Sequence, residues 1–68
     1  MSVTLKVNGK TQTCDGSISI RNLLAELNIP AATVVVERNR KILRKEQFPA
    51  VIIEDGDEVE IIRFVGGG

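Results

Sequence analysis

The residues of this chain best suited to chemistry stand at its end, where Val65-Gly66-Gly67-Gly68 follows a strand-like run. Three glycines in a row carry no Cβ, lose much backbone freedom on ordering and add nothing to a core. Extended, they reach about 10 Å at roughly 3.3–3.6 Å per residue. Gly66 and Gly67 can thus thread the carboxylate of Gly68 into a cleft that rejects side chains. A carboxylate is a poor electrophile. A partner must therefore activate it, by adenylation with ATP, after which sulfur can displace AMP and leave a thiocarboxylate. The plainer alternative is a frayed terminus. As a linker, the glycines would need a further domain beyond them.

Little else in the composition supports catalysis. The 68 residues hold no His, Tyr or Trp and one cysteine, Cys14. Conventional zinc sites, an internal disulfide and a cysteine-ligated iron–sulfur cluster are excluded. Neither a P-loop nor a dinucleotide fingerprint is present, because the glycines lack both the spacing and the following helix. The expectation is a non-enzyme with no cofactor of its own, ATP being used by the activating partner. Nine basic and nine acidic residues balance, so neither nucleic acid nor membrane is an expected partner. The charges are segregated, however. Five basic residues (Arg38, Arg40, Lys41, Arg44, Lys45) face two acidic ones between Glu37 and Phe48, and five acidic residues face one arginine from Pro49 onward. With no leader and no long apolar run, the reading is cytoplasmic.

The tail needs a domain to present it, and 68 residues with 43% apolar content suffice for one small core. Val3, Leu5 and Val7 alternate with polar residues, the period of a half-buried strand. Asn8-Gly9 is a strong hairpin signal, returning the chain along Lys10 to Cys14. Cys14 reads as a small apolar residue of that strand. Ile20, Leu23, Leu24 and Leu27 then form one stripe of a helix. Ser19 is its N-cap, Ile18 and Leu23 a hydrophobic staple, and Asn28 and Pro30 its exit. Strands are expected at Thr33–Glu37, Lys41–Leu43 and Glu58–Phe64, with an irregular segment from Lys45 to Val51 plugged by Phe48. A single helix across one face of a mixed four- to five-stranded sheet satisfies this order. That is the β-grasp arrangement of the α+β class. Residues 1–64 would be the domain and 65–68 a flexible tail.

In the last strand Val59 and Ile61 share one face while Glu58, Glu60, Ile62 and Phe64 share the other. With the first face on the helix, Ile62, Phe64 and the adjoining Val65 form an apolar docking site rimmed by glutamates. A bulge at Ile61-Ile62 would reverse that parity.

The ordered set Val7-Asn8-Gly9, Leu23-Leu24-Ala25-Glu26-Leu27, Val36-Glu37-Arg38-Asn39, Asp55-Gly56-Asp57-Glu58-Val59-Glu60-Ile61 and Phe64-Val65-Gly66-Gly67-Gly68 resembles the thiamine-pathway sulfur carriers (ThiS-type) over nearly the whole chain. The resemblance implies a ubiquitin-like β-grasp fold and adenylation of Gly68 by an E1-like adenylyltransferase. It further implies sulfur from a donor such as a cysteine desulfurase, and thiazole synthase as the acceptor. Two features depart from the family pattern: Asn39-Arg40 stands where Asn-Gly is frequent, and the basic run from Arg38 to Lys45 is dense. Competing expectations are a molybdopterin-type carrier, a ubiquitin-like protein modifier, and an RNA-binding module built on the basic run. The last is weakened by the lack of stacking Tyr or Trp.

Overall fold

In the computed structural model the described residues are 2–63. They form β1 (Ser2–Val7), β2 (Lys10–Asp15), helix α1 (Ile20–Glu26), a 3-10 turn (Ala31–Thr33), β3 (Val34–Arg38), β4 (Lys41–Leu43), a second 3-10 turn (Lys45–Gln47) and β5 (Glu58–Arg63). The five strands make one sheet in the order β2-β1-β5-β3-β4. β1 and β5 are parallel, and the remaining pairs are antiparallel. The expected β-grasp fold is what the chain adopts. The last strand in sequence is the middle strand in space.

Two hairpins flank that middle strand, and both turn through a two-residue loop whose residues have positive φ. Val7 pairs with Lys10 around Asn8 (φ 51°) and Gly9 (φ 82°). Arg38 pairs with Lys41 around Asn39 (φ 51°) and Arg40 (φ 71°). This is the type I′ geometry that matches the twist of paired strands. Asn enters the left-handed region readily; arginine there is strained.

Helix α1 begins and ends for local reasons. The Ser19 hydroxyl accepts from the Asn22 N–H at 3.1 Å. The two amides before it donate to a distant loop, Ile20 to the Val51 carbonyl and Arg21 to the Phe48 carbonyl, each at 3.0 Å. All three orphan donors of the first turn are thereby satisfied. At the far end Asn28 takes φ 59°. Its N–H donates to the Ala25 carbonyl and the Ile29 N–H to the Leu24 carbonyl, at 3.1 and 2.9 Å, the paired bonds of a Schellman stop.

The core lies between helix and sheet. Ile20, Leu23 and Leu24 of the helix meet Leu5, Val34, Val36 and Val59 of the strands, and Phe48 closes the open end. Cys14 is buried among them as a small apolar residue, and burial, helped by the Glu26 charge, pushes its thiol pKa up. Several expected boundaries move: β2 runs on to Asp15 and β3 to Arg38, one residue past each expected end. Thr33 belongs to the 3-10 turn rather than to β3, because its hydroxyl and its N–H both bond the Pro30 carbonyl. The helix ends at Glu26, one residue short of the apolar stripe, where Leu27 caps it. The segment after β4, expected to be irregular, contains a 3-10 turn held by the Gln47 side chain, which accepts from the Arg44 N–H at 2.8 Å.

Candidate functional site

β5 carries the chain toward Gly66–Gly68, so its exit from the sheet is where any chemistry of the tail would be presented. Its side chains alternate without a bulge. Val59 is buried and Ile61 half-buried against the core; Glu58, Glu60 and Ile62 are exposed on the opposite, open face. Ile62 keeps 45% of its surface in solvent. Among the expected site residues, Phe64, Val65, Gly66, Gly67 and Gly68 lie outside the described residues.

The neighbours of Ile62 on the open face come from β3 and β4. Val35 stands directly opposite it, Glu37 stands opposite Glu60, and on the other side Glu37 pairs with Ile42. Ile42 is 69% exposed, the most exposed large apolar side chain among the described residues. An apolar line from Ile62 through Val35, with Ile42 one row away, is thus flanked by Glu37, Glu58 and Glu60. Sequence reasoning placed Ile62 on this face but missed Ile42. The signal was available, since Leu43 facing the core puts Ile42 on the other side. Two like charges directly opposite each other on a sheet oppose pairing, which makes the Glu37–Glu60 pair notable.

Three polar side chains fix the path of β5. Asp57, immediately before it, is 6% exposed. Its carboxylate accepts from Arg38 Nε and the Glu54 N–H, each at 2.8 Å, and from Asn39 Nδ2 at 3.1 Å. Burial alone would raise its pKa. The Glu54 amide, the Arg38 and Asn39 side chains and the Arg38 charge outweigh burial and hold the carboxyl below its ordinary value. Next, Asn39 uses its backbone N–H and its side-chain Oδ1 to bond the Glu58 carbonyl and N–H, at 2.7 and 3.0 Å. On the opposite edge Asn8 does the same further along. Its N–H donates to the Val59 carbonyl at 2.9 Å, Oδ1 accepts from the Ile61 N–H at 2.7 Å, and Nδ2 donates to the Ile61 carbonyl at 3.3 Å. Turn residues of both hairpins thus double as pairing partners of the central strand.

Among the described residues no set of three His, Cys, Asp or Glu side chains is placed to hold a metal ion. The depression between β1 and the 54–57 turn, lined by Thr4, Lys6, Thr11, Gly56 and Glu58, is open to solvent. Nor is any helix among these residues long and apolar enough to cross a membrane.

Fold and site together define a small β-grasp domain whose central strand is followed in sequence by Gly66-Gly67-Gly68. The chain belongs to the ThiS family, whose model matches residues 5–68. It is 40% identical over 65 residues to the sulfur carrier protein ThiS of Bacillus subtilis, covering 94% of this chain and 98% of that one. The crystal structure of the thiamine biosynthesis protein (ThiS) from Geobacter metallireducens superposes with a TM-score of 0.84 at 43% identity, over 97% of this chain and all of the other. A thiazole synthase of Paramagnetospirillum magneticum is 39% identical over 64 residues; the match takes in 94% of this chain and only a fifth (20%) of that protein.

Proposed function

We propose that this chain is a sulfur carrier of thiamine biosynthesis and that the carboxylate of Gly68 is its working group. An E1-like partner joins that carboxylate to AMP from ATP, releasing pyrophosphate. The outer sulfur of a persulfide, supplied by a donor such as a cysteine desulfurase, attacks the acyl adenylate and expels AMP. A thiol then reduces the resulting acyl disulfide, itself ending as a disulfide, and the freed thiocarboxylate delivers sulfur to thiazole synthase. The observation that carries this reading is the extent of the family match, which runs to Gly68 rather than stopping at the domain. Thiazole synthase is favoured as acceptor over a molybdopterin enzyme because two proteins of that name, from Paramagnetospirillum magneticum and Magnetococcus marinus, match this chain over 64 residues each.

In this reading the domain is the handle and the partner the catalyst. The open face around Ile62, Val35 and Ile42 supplies apolar contact; Phe64 and Val65 are assigned to the same docking role, and Gly66 and Gly67 to threading the partner's cleft. The opposed Glu37–Glu60 pair asks for a cationic surface opposite, so charge selects the partner while apolar burial holds it. Intact mass spectrometry tests the proposal. After incubation with ATP, a sulfur source and extract from the same cells, the protein should gain the mass of one oxygen replaced by sulfur, mapped to Gly68. No gain, with the extract active on another carrier, would refute it.

A further inference from the structure

Asn8 follows the last residue of β1, where the chain turns back into β2. β1 pairs with β5 only at Lys6–Glu58 and Val7–Val59, then turns away. Beyond that point the β1-facing edge of β5 would be bare, with the N–H and carbonyl of Ile61 unpaired. Instead the Asn8 carboxamide takes both, Oδ1 from the N–H at 2.7 Å and Nδ2 to the carbonyl at 3.3 Å. A side chain stands in for the next residue of a parallel strand. The left-handed backbone at Asn8 (φ 51°) turns the main chain into β2 while the carboxamide stays beside β5. Asparagine suits both demands: it enters that region readily, and its side chain carries a donor and an acceptor.

We propose that Asn8 is a positioning residue for the tail, setting the direction in which β5 leaves the sheet toward Gly68. The inference rests on the carrier reading above for its consequence, though not for the contact itself. Among the described residues Ile61 is the last of β5 held from the β1 side. β3 holds the other side as far as Arg63, opposite Val34. With Asn8 in place the strand is gripped from both edges close to its end; without it, one edge alone steers the exit. The docking face, formed on β3, β4 and the open side of β5, does not include Asn8. Losing the carboxamide should therefore spoil delivery of the terminal carboxylate to the partner's cleft more than docking.

The test uses Asn8→Gly, which keeps the positive-φ turn and deletes only the carboxamide. Its control is Gly9→Ala, which strains the same turn at φ 82° but leaves the two Ile61 bonds in place. Both are compared with the parent chain well below their melting temperatures. Amide hydrogen exchange at Ile61 should speed up about tenfold in Asn8→Gly, as expected for loss of one solvent-shielding bond pair, with Val36 unchanged. In ATP–pyrophosphate exchange with the activating enzyme, kcat should fall about tenfold at unchanged KM, since small misplacements cost rate heavily. Gly9→Ala should match the parent in both. An unchanged Ile61 amide, an equal loss in Gly9→Ala, or a rise in KM without a fall in kcat would overturn the assignment. If the parent chain itself supports no exchange, the carrier reading fails, while Ile61 protection still reports whether Asn8 holds the strand.

Discussion

Replacing Asp57 by Asn should be the most damaging isosteric change available among the described residues. The carboxylate accepts three bonds, two on Oδ2 from Arg38 Nε and the Glu54 N–H and one on Oδ1 from Asn39 Nδ2. An amide can keep its oxygen on the Oδ2 side and serve the first two, but its NH₂ then meets the NH₂ of Asn39. Asn39 cannot rotate away, because its Oδ1 holds the Glu58 N–H at 3.0 Å. Hydrogen bonds to charged groups contribute about 1.5–3 kcal/mol each. One is lost outright, two become neutral-acceptor bonds, and Arg38, with 26% of its side chain exposed, is left with the exposed Glu54, 3.9 Å away, as its carboxylate partner. The net cost is about 2–3 kcal/mol, from a total stability of roughly 3–10 kcal/mol for a domain of this size. At about 4–8 °C per kcal/mol the melting temperature should drop by roughly 10–20 °C.

The pH dependence gives a sharper check on the same variant. The folded Asp57 pKa lies below its unfolded value, so its contribution is complete above that unfolded value, near about 3.9. It is lost as pH falls through the folded pKa. Thermal melts by circular dichroism from neutral pH down to about 2 should show a constant gap between parent and Asp57→Asn above pH ~4. Below it the gap should close. Groups common to both proteins cancel in the difference. A gap under about 0.5 kcal/mol at neutral pH would place Asp57→Asn among neutral surface changes and refute the argument. A gap that stayed constant down to pH ~2 would show that the carboxylate charge is not what stabilises the turn.

Further outcomes follow from the same geometry. Arg40 holds φ 71° in a position that favours glycine. Arg40→Gly should stabilise the domain by about 0.5–1 kcal/mol in denaturant unfolding, the relief of left-handed strain less the extra chain entropy of glycine. Glu60→Gln removes one of two opposed like charges. The isolated domain should gain a few tenths of a kcal/mol, while titration calorimetry should show weaker binding to the activating enzyme. Ile42→Ala should leave the melt nearly unchanged, because the side chain is 69% exposed, yet weaken the same complex several-fold if β4 belongs to the docking face. Deletion of Gly67 and Gly68 should abolish thiocarboxylate formation by mass spectrometry without moving the melting temperature.

Much of this was legible before any coordinates. The period-2 runs at Val3–Val7 and Glu58–Ile62, the helical stripe from Ile20 to Leu27 and the Ser19 cap all depend on near neighbours along the chain, and all appear in the fold. So does the left-handed turn at Asn8-Gly9, whereas the same geometry at Asn39-Arg40 emerged only in the fold. Element ends were less legible. Thr33 was drawn out of β3 by its bonds to Pro30, and the helix stopped at Glu26 because the Asn28 and Ile29 amides turned back onto its last carbonyls. The expected strand end at Phe64 lies outside the described residues.

What the sequence determined by itself, then, was the local conformation of each segment, the face each side chain takes along a strand, and the glycine-ended tail that suggests a carrier. Near-neighbour sterics and capping bonds settle those, and they are written within a few residues. Only the tertiary structure decided that β5 lies between β1 and β3, that Ile42 joins Ile62 on one face, and that Asp57 is buried against Arg38 and Asn39. It also brought Asn8 to Ile61, 53 positions away. Such pairings depend on the burial of the whole core and on which strand edges remain to be satisfied, quantities that no short window of sequence contains.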